Sequence, residues 1–209
     1  MSGGIERIHG TVVAGGLERT YHLIAPTRGS NAPRPLLLLL HGGGGTGEWI
    51  ARIARIAPVA EEHGFLVCCP DGVDKRWNDG RPIMENAAHD DAGFLMACID
   101  EAVAKHGADP NRVYIAGASN GAMLAYRTII ERPGIFAAAA GGMSPLHLPY
   151  CAENRTAAPT PILFIHGTAD PVCPFEGGTI TLQRKTMGEV MSLRESIRYW
   201  VEANGCWAL

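Results

Sequence analysis

The sequence predicts an α/β protein with a mostly parallel, doubly wound sheet, and three observations carry that prediction. Short apolar runs alternate along the chain with segments of helical spacing. The amino-terminal region instead holds two β-rich runs joined directly through Gly15-Gly16, an antiparallel hairpin. Two of the apolar runs end in glycine-rich turns, "LLLLLHGGGG" and "VYIAGASNG". In open sheets of this class, ligands gather at the carboxyl ends of strands, so those turns are the first places to look for chemistry.

The elements follow in order. "IERIHGTVVAGGLERTYHLIAP" forms the hairpin. Leu36 to Leu40, uninterrupted by polar residues, marks a strand buried on both faces. Glu48 to His63 carries helical spacing through Trp49, Ile53, Ile56 and Ala60, with Pro58 predicting a break or kink. Phe65 to Cys69 is the next strand, stopped by Pro70-Asp71-Gly72, and "KRWNDGR" after it is too irregular for either element. Asp90 or Asp91 can cap a helix running to His106, with Phe94, Leu95, Ile99 and Val103 on its apolar face. A strand over Val113 to Ala116 leads into a helix from about Asn120 to Glu131. "IFAAAAGGM" and "PILFIHG" are two further short strands. Ser192 to Ala203 is a last amphipathic helix presenting Leu193, Ile197 and Trp200 on one face. No repeat or linker divides the chain, so residues 1–209 are read as a single domain.

Composition narrows the partners. Hydrophobic residues make up 46% and charged residues 19%, the balance of a soluble globular protein. A net charge of -3 provides no electrostatic reason to expect nucleic acid or an anionic membrane. No apolar run approaches the roughly 18 residues needed to cross a bilayer. The amino terminus shows no basic segment followed by an apolar core, so no signal peptide is visible and the compartment stays open. The six cysteines have no metal-site spacing. Cys68 and Cys98 fit apolar patterns, whereas Cys151, Cys173 and Cys206 lie in or near loops and could form a disulfide in an oxidising compartment. No metal and no organic cofactor is expected.

Chemistry concentrates at three strand ends. Gly117-Ala118-Ser119-Asn120-Gly121 has the pattern of a nucleophile elbow, where small residues flank a serine because the turn is strained and helix and strand approach closely. His41-Gly42-Gly43-Gly44-Gly45 can bend sharply and present bare N–H groups to a developing oxyanion. The expected donors are the N–H of Asn120 and that of Gly43 or Gly44; His41 itself is expected to be structural. Asp170, in "HGTADPVCPF", follows the elbow in the chain order that places a triad acid.

"LLLLLHGGGGTG", "PDGVDKRWNDGR", "DDAGFL", "DPNRVYIAGASNGAM" and "FIHGTADPVCPFEGG" occur in this order across nearly the whole chain. Together they resemble the polyhydroxybutyrate depolymerase and feruloyl esterase group of α/β hydrolases, carbohydrate esterase family 1. The resemblance implies a cofactor-independent serine esterase working through an acyl-enzyme, with Ser119 as nucleophile and Asp170 as acid. It also implies that the loop holding Trp77 and the segment "MSPLHLPY" lie near the site, with Trp77 a candidate substrate contact or, equally, a loop anchor. The acyl group stays open between feruloyl, acetyl and short hydroxyalkanoate.

One part of that pattern is missing. The family places its histidine after a further strand beyond "RYWVEANGC", whereas all eight histidines here precede Asp170. The expectation is therefore a fold lacking its carboxyl-terminal strand and helix. A histidine could instead have moved into the role (His89, His147 or His166), or come from another chain. The rival readings are a non-catalytic ester- or partner-binding protein and a serine peptidase on the same fold. Loss of a final strand would expose a sheet edge and favour a homodimer.

Overall fold

The computed structural model describes residues 4–27, 32–81, 88–154 and 158–206. Its centre is a seven-stranded sheet in the order β1-β2-β4-β3-β5-β6-β7. The hairpin forms as expected, β1 (Ile5–Ala14) against β2 (Leu17–Pro26), with Gly15 and Gly16 both at positive φ (58° and 78°). Two positive φ values make the tight turn whose twist matches that of the strands. β2 pairs antiparallel with β4 (Leu66–Pro70), which runs parallel to β3 (Arg34–Leu40). On the other side of β3 lie β5 (Ala108–Ala118), β6 (Ala138–Gly142) and β7 (Ile162–Ile165), all parallel.

The leucine run of β3 divides by parity. Leu36, Leu38 and Leu40 enter one apolar cluster, with Phe94, Leu124, Tyr126 and Trp200. Leu39 enters the cluster on the opposite face, with Ile50, Ala60 and Val67. A strand alternates its side chains, so a strand covered on both faces must be apolar at every position. The first face is covered by α3 (Asp91–His106), α4 (Asn120–Glu131) and α6 (Leu193–Ala203). The second is covered by α1 (Gly47–Ile53) and α2 (Ile56–His63).

Several expectations shift in detail. The break in the first helical segment falls at Arg55, in the left-handed region at φ 50°, and not at Pro58. Pro58 occupies the first turn of α2, where its missing N–H is not needed. Asp90 caps α3 by accepting from the Gly93 N–H, which leaves Asp91 free to pair with Arg19 at 2.6 Å in the interior. Ser192 caps α6 through a reciprocal box with Glu195, but Ile197 faces solvent; the buried stripe is Leu193, Ser196, Tyr199 and Trp200. The cysteines form no disulfide. Two elements escaped the sequence pattern, the short α5 (Leu148–Glu153) and the hairpin of β8 (Gly178–Leu182) with β9 (Lys185–Val190).

Candidate active site

The strand order reverses between β3 and β5, and the loops leaving their carboxyl ends diverge from adjacent strands. A crevice forms there in doubly wound sheets. Ser119 sits at its floor with φ 52° and ψ -119°. That conformation is costly for a residue with a side chain, of order 1–3 kcal/mol, and persists only where the surroundings over-determine it. Here the Ser119 N–H donates to the Gly142 carbonyl at 2.7 Å, and the Ser119 carbonyl accepts from the Met123 N–H at 3.1 Å. A side chain on Gly117 would strike the backbone of Gly121, and one on Gly121 would strike the carbonyls of His41 and Leu40. Both glycines of the elbow are therefore required by close approach.

The glycine loop lies directly against this turn. A Cβ built on Gly42 would stand 3.5 Å from the Ser119 Cβ, and one on Gly43 would stand 3.9 Å from the Asn120 Cβ. The Gly44 N–H already donates to the Lys75 carbonyl at 2.8 Å, so Gly44 is excluded as an oxyanion donor and Gly43 is the candidate in the loop. The Asn120 N–H opens α4, where first-turn donors have no partner within the helix. His41 is fully buried and satisfied on both nitrogens: Nε2 accepts from the Gly72 N–H at 3.0 Å, and Nδ1 bonds the Gly42 carbonyl at 2.8 Å. Those partners require the neutral ring with its proton on Nδ1, and burial holds its pKa below the usual histidine value. It shapes the loop, as expected.

Trp77 corrects the expectation of substrate contact. It is fully buried and does not line the crevice. Its indole N–H donates to the His41 carbonyl at 2.8 Å, and its backbone N–H donates to Asn120 Oδ1 at 2.8 Å. The Asn120 amide returns bonds to the Trp77 carbonyl (3.1 Å) and to Asp79 Oδ2 (2.6 Å). Asp79, buried, is gripped by the Arg81 guanidinium through Nε at 2.9 Å and Nη2 at 2.5 Å. Trp77 is thus an anchor between the glycine loop and the elbow, and Asp79 and Arg81 extend that anchor. Sequence reasoning missed the Asp79–Arg81 pair; its one signal was two opposite charges inside "WNDGR".

Asp170 reaches the same crevice from the loop after β7. Its Oδ1 accepts from the N–H groups of Val172 (2.8 Å) and Cys173 (2.9 Å), and Oδ2 takes no bond among the described residues. Gly43, Gly44, Ser119, Asn120 and Asp170 together line a cleft of about 350 Å³. Met123, Met143, Ile180, Leu182 and Met187 give it an apolar wall, and Arg76 and Arg81 add positive charge. The wall residues from β8 and β9 had no readable signal in the sequence. None of the eight histidines, all among the described residues, lines this cleft. His166 bonds the Cys173 carbonyl through Nε2 at 3.0 Å, and its buried Nδ1 has no partner among the described residues. His147 is buried at 4% exposure, and burial pushes its pKa down to about 4. His89 also lies outside the cleft.

A strained serine on a strand-to-helix turn, faced by a glycine loop and followed by an acid after a later strand, is the arrangement of the α/β-hydrolases. Within that class, the chain belongs to the esterase PHB depolymerase family, whose model matches residues 19–173. It is 33% identical to NocK of Nocardia uniformis subsp. tsuyamanensis, a protein provisionally named an esterase, over 93% of this chain and 59% of that protein. It is 29% identical to feruloyl esterase B of Piromyces equi over 82% of this chain and 33% of the relative. The chain thus spans between a third and three fifths of the length of these relatives. Among solved structures, a thermostable esterase superposes with a TM-score of 0.69 at 22% identity, over 95% of this chain and 52% of the other.

Proposed function

We propose that this chain cleaves carboxylic esters at Ser119. The observation that carries the reading is the strained serine at the floor of a cleft that also holds Gly43, Asn120 and Asp170. In the acylation step the Ser119 Oγ bonds the ester carbonyl carbon and gives its proton to a base, and the alcohol then leaves with that proton. The N–H groups of Gly43 and Asn120 donate to the oxyanion as it forms. Water hydrolyses the acyl-enzyme by the reverse proton path. Asp170, with Oδ2 open, is the residue to orient the imidazole that serves as base. The cleft holds nucleophile, oxyanion donors and acid; an imidazole delivered to Ser119 from a partner chain, or from sequence outside these 209 residues, would complete the relay. The apolar wall suits a hydrocarbon or aryl acyl group, and the esterase names of the relatives support the ester class.

The absence of an imidazole from the cleft favours a second reading, an ester-binding protein without turnover. One pair of measurements separates them. A fluorophosphonate is expected to label the wild-type chain at Ser119 and leave Ser119→Ala unlabelled. Hydrolysis of p-nitrophenyl acetate at a turnover of about 1 per second or more, lost in Ser119→Ala, would establish that a base is present. A rate equal to that of the variant would support binding alone.

A further inference from the structure

The strand register assembles a second cluster away from the serine. His9 of β1 and His22 of β2 are direct cross-strand partners, and their rings stack with centroids 4.6 Å apart at 23°. His22 is opposite Cys69 on β4, and Asp71, the residue after Pro70, continues the register by donating its N–H to the Thr20 carbonyl at 3.0 Å, with Asp71 Oδ2 3.2 Å from His22 Nε2. Ligand atoms of all three residues lie within 4.8 Å of one another. None of them lines the Ser119 cleft.

We propose that His9, His22 and Asp71 bind a divalent transition-metal ion, with zinc the best match. Two imidazoles and a carboxylate are a donor set that zinc accepts, leaving a position for water. Zinc–ligand bonds of about 2.0–2.1 Å in a tetrahedron place neighbouring ligand atoms roughly 3.3 Å apart. The His22–Asp71 separation already has that length. His9 is exposed, so its ring can turn to close the remaining distance.

The carboxylate is held as a metal ligand is held. Asp71 Oδ1 accepts from the Gly47 N–H at 2.7 Å, and Oδ2 accepts from the Thr20 hydroxyl at 2.8 Å. Such outer bonds fix the orientation of a ligand before the ion arrives. The three residues open on a surface hollow of about 420 Å³ that Glu48 also lines. A plain His22–Asp71 ion pair would account for two of the residues but assigns no role to the His9 ring lying over His22. A bound ion uses all three and ties β1, β2 and β4 together beside the Gly72 N–H that supports His41.

The test is calorimetric titration of zinc into the chelator-treated, reduced chain, in a Cys206→Ser background that removes the exposed thiol. Thermal unfolding with and without zinc runs beside it. The expected result is one ion per chain at micromolar affinity and a raised unfolding temperature. His9→Ala should weaken binding by at least about tenfold and abolish the thermal shift, with fluorophosphonate labelling of Ser119 unchanged. His9 is exposed, so this variant tests the site without threatening the fold; His22→Gln should behave alike. No binding up to millimolar zinc, or equal affinity in wild type and His9→Ala, would overturn the proposal.

Discussion

The two sides of the serine cleft are built on opposite plans. On the elbow side the side chains that brace the turn are buried and bonded to one another: Asn120 bonds Trp77 and Asp79, Asp79 is gripped by Arg81, and Trp77 holds His41. On the acid side, Asp170 hangs from a loop after β7, half-buried, with two backbone bonds to one oxygen. Among the described residues β7 is the last strand of the sheet, and its Leu163 and Ile165 stand 57% and 63% exposed. The difference shows where strain can be stored. A costly serine conformation needs a rigid frame around it, whereas the acid needs only to be placed, with one oxygen open to a partner.

The contrast is broken or sharpened most strongly by removing one carboxylate from each side. Asp79→Ala strands the Arg81 guanidinium in the interior and should cost about 3–5 kcal/mol in urea unfolding. Asp170→Ala, losing two bonds near solvent, should cost about 1 kcal/mol. Equal losses would mean the two sides are equally rigid. Next in size is a pH effect from His147, whose folded pKa is about 4 against 6.5 unfolded. Between those values the unfolded chain binds the proton and the folded chain does not. Stability is therefore full above about pH 6.5 and falls as pH drops toward 4, by up to roughly 3 kcal/mol. Urea midpoints across that range should show the slope, and His147→Gln should flatten it. Trp77→Phe keeps the ring but leaves the His41 carbonyl without its donor, for a loss of about 1–3 kcal/mol. If Trp77 instead contacted substrate, the same variant would raise KM while leaving the unfolding midpoint unchanged. The smallest effect is expected at the edge: Leu163→Lys should change stability by less than about 0.5 kcal/mol. Its use is in sedimentation, since a homodimer formed through β7 should dissociate in this variant.

Much of this is legible in the sequence. The leucine run of β3, the Gly-Gly hairpin, the elbow at Ser119 and a cap at Asp90 or Asp91 each depend on neighbours a few residues away, and local sequence carries local rules. The β8–β9 hairpin escaped because its turn is Gln183-Arg184, both at positive φ (49° and 65°) without a glycine to announce them. The helix break moved from Pro58 to Arg55 for a related reason: proline at the first turn costs nothing, and the left-handed residue before it has no compositional mark.

The sequence by itself determined the order along the chain of the seven strands of the main sheet, the serine turn, the glycine loop and the acid after β7, because spacing along the chain dictates which strand end each residue occupies. Only the tertiary structure decided that Trp77 is an anchor, that the Gly44 N–H is spent on Lys75, that Asp79 and Arg81 brace the elbow, and that residues 9, 22 and 71 meet. Those facts rest on strand register and on contacts across forty or more positions of chain. Which donor reaches which acceptor there is settled by packing, and no local pattern encodes it.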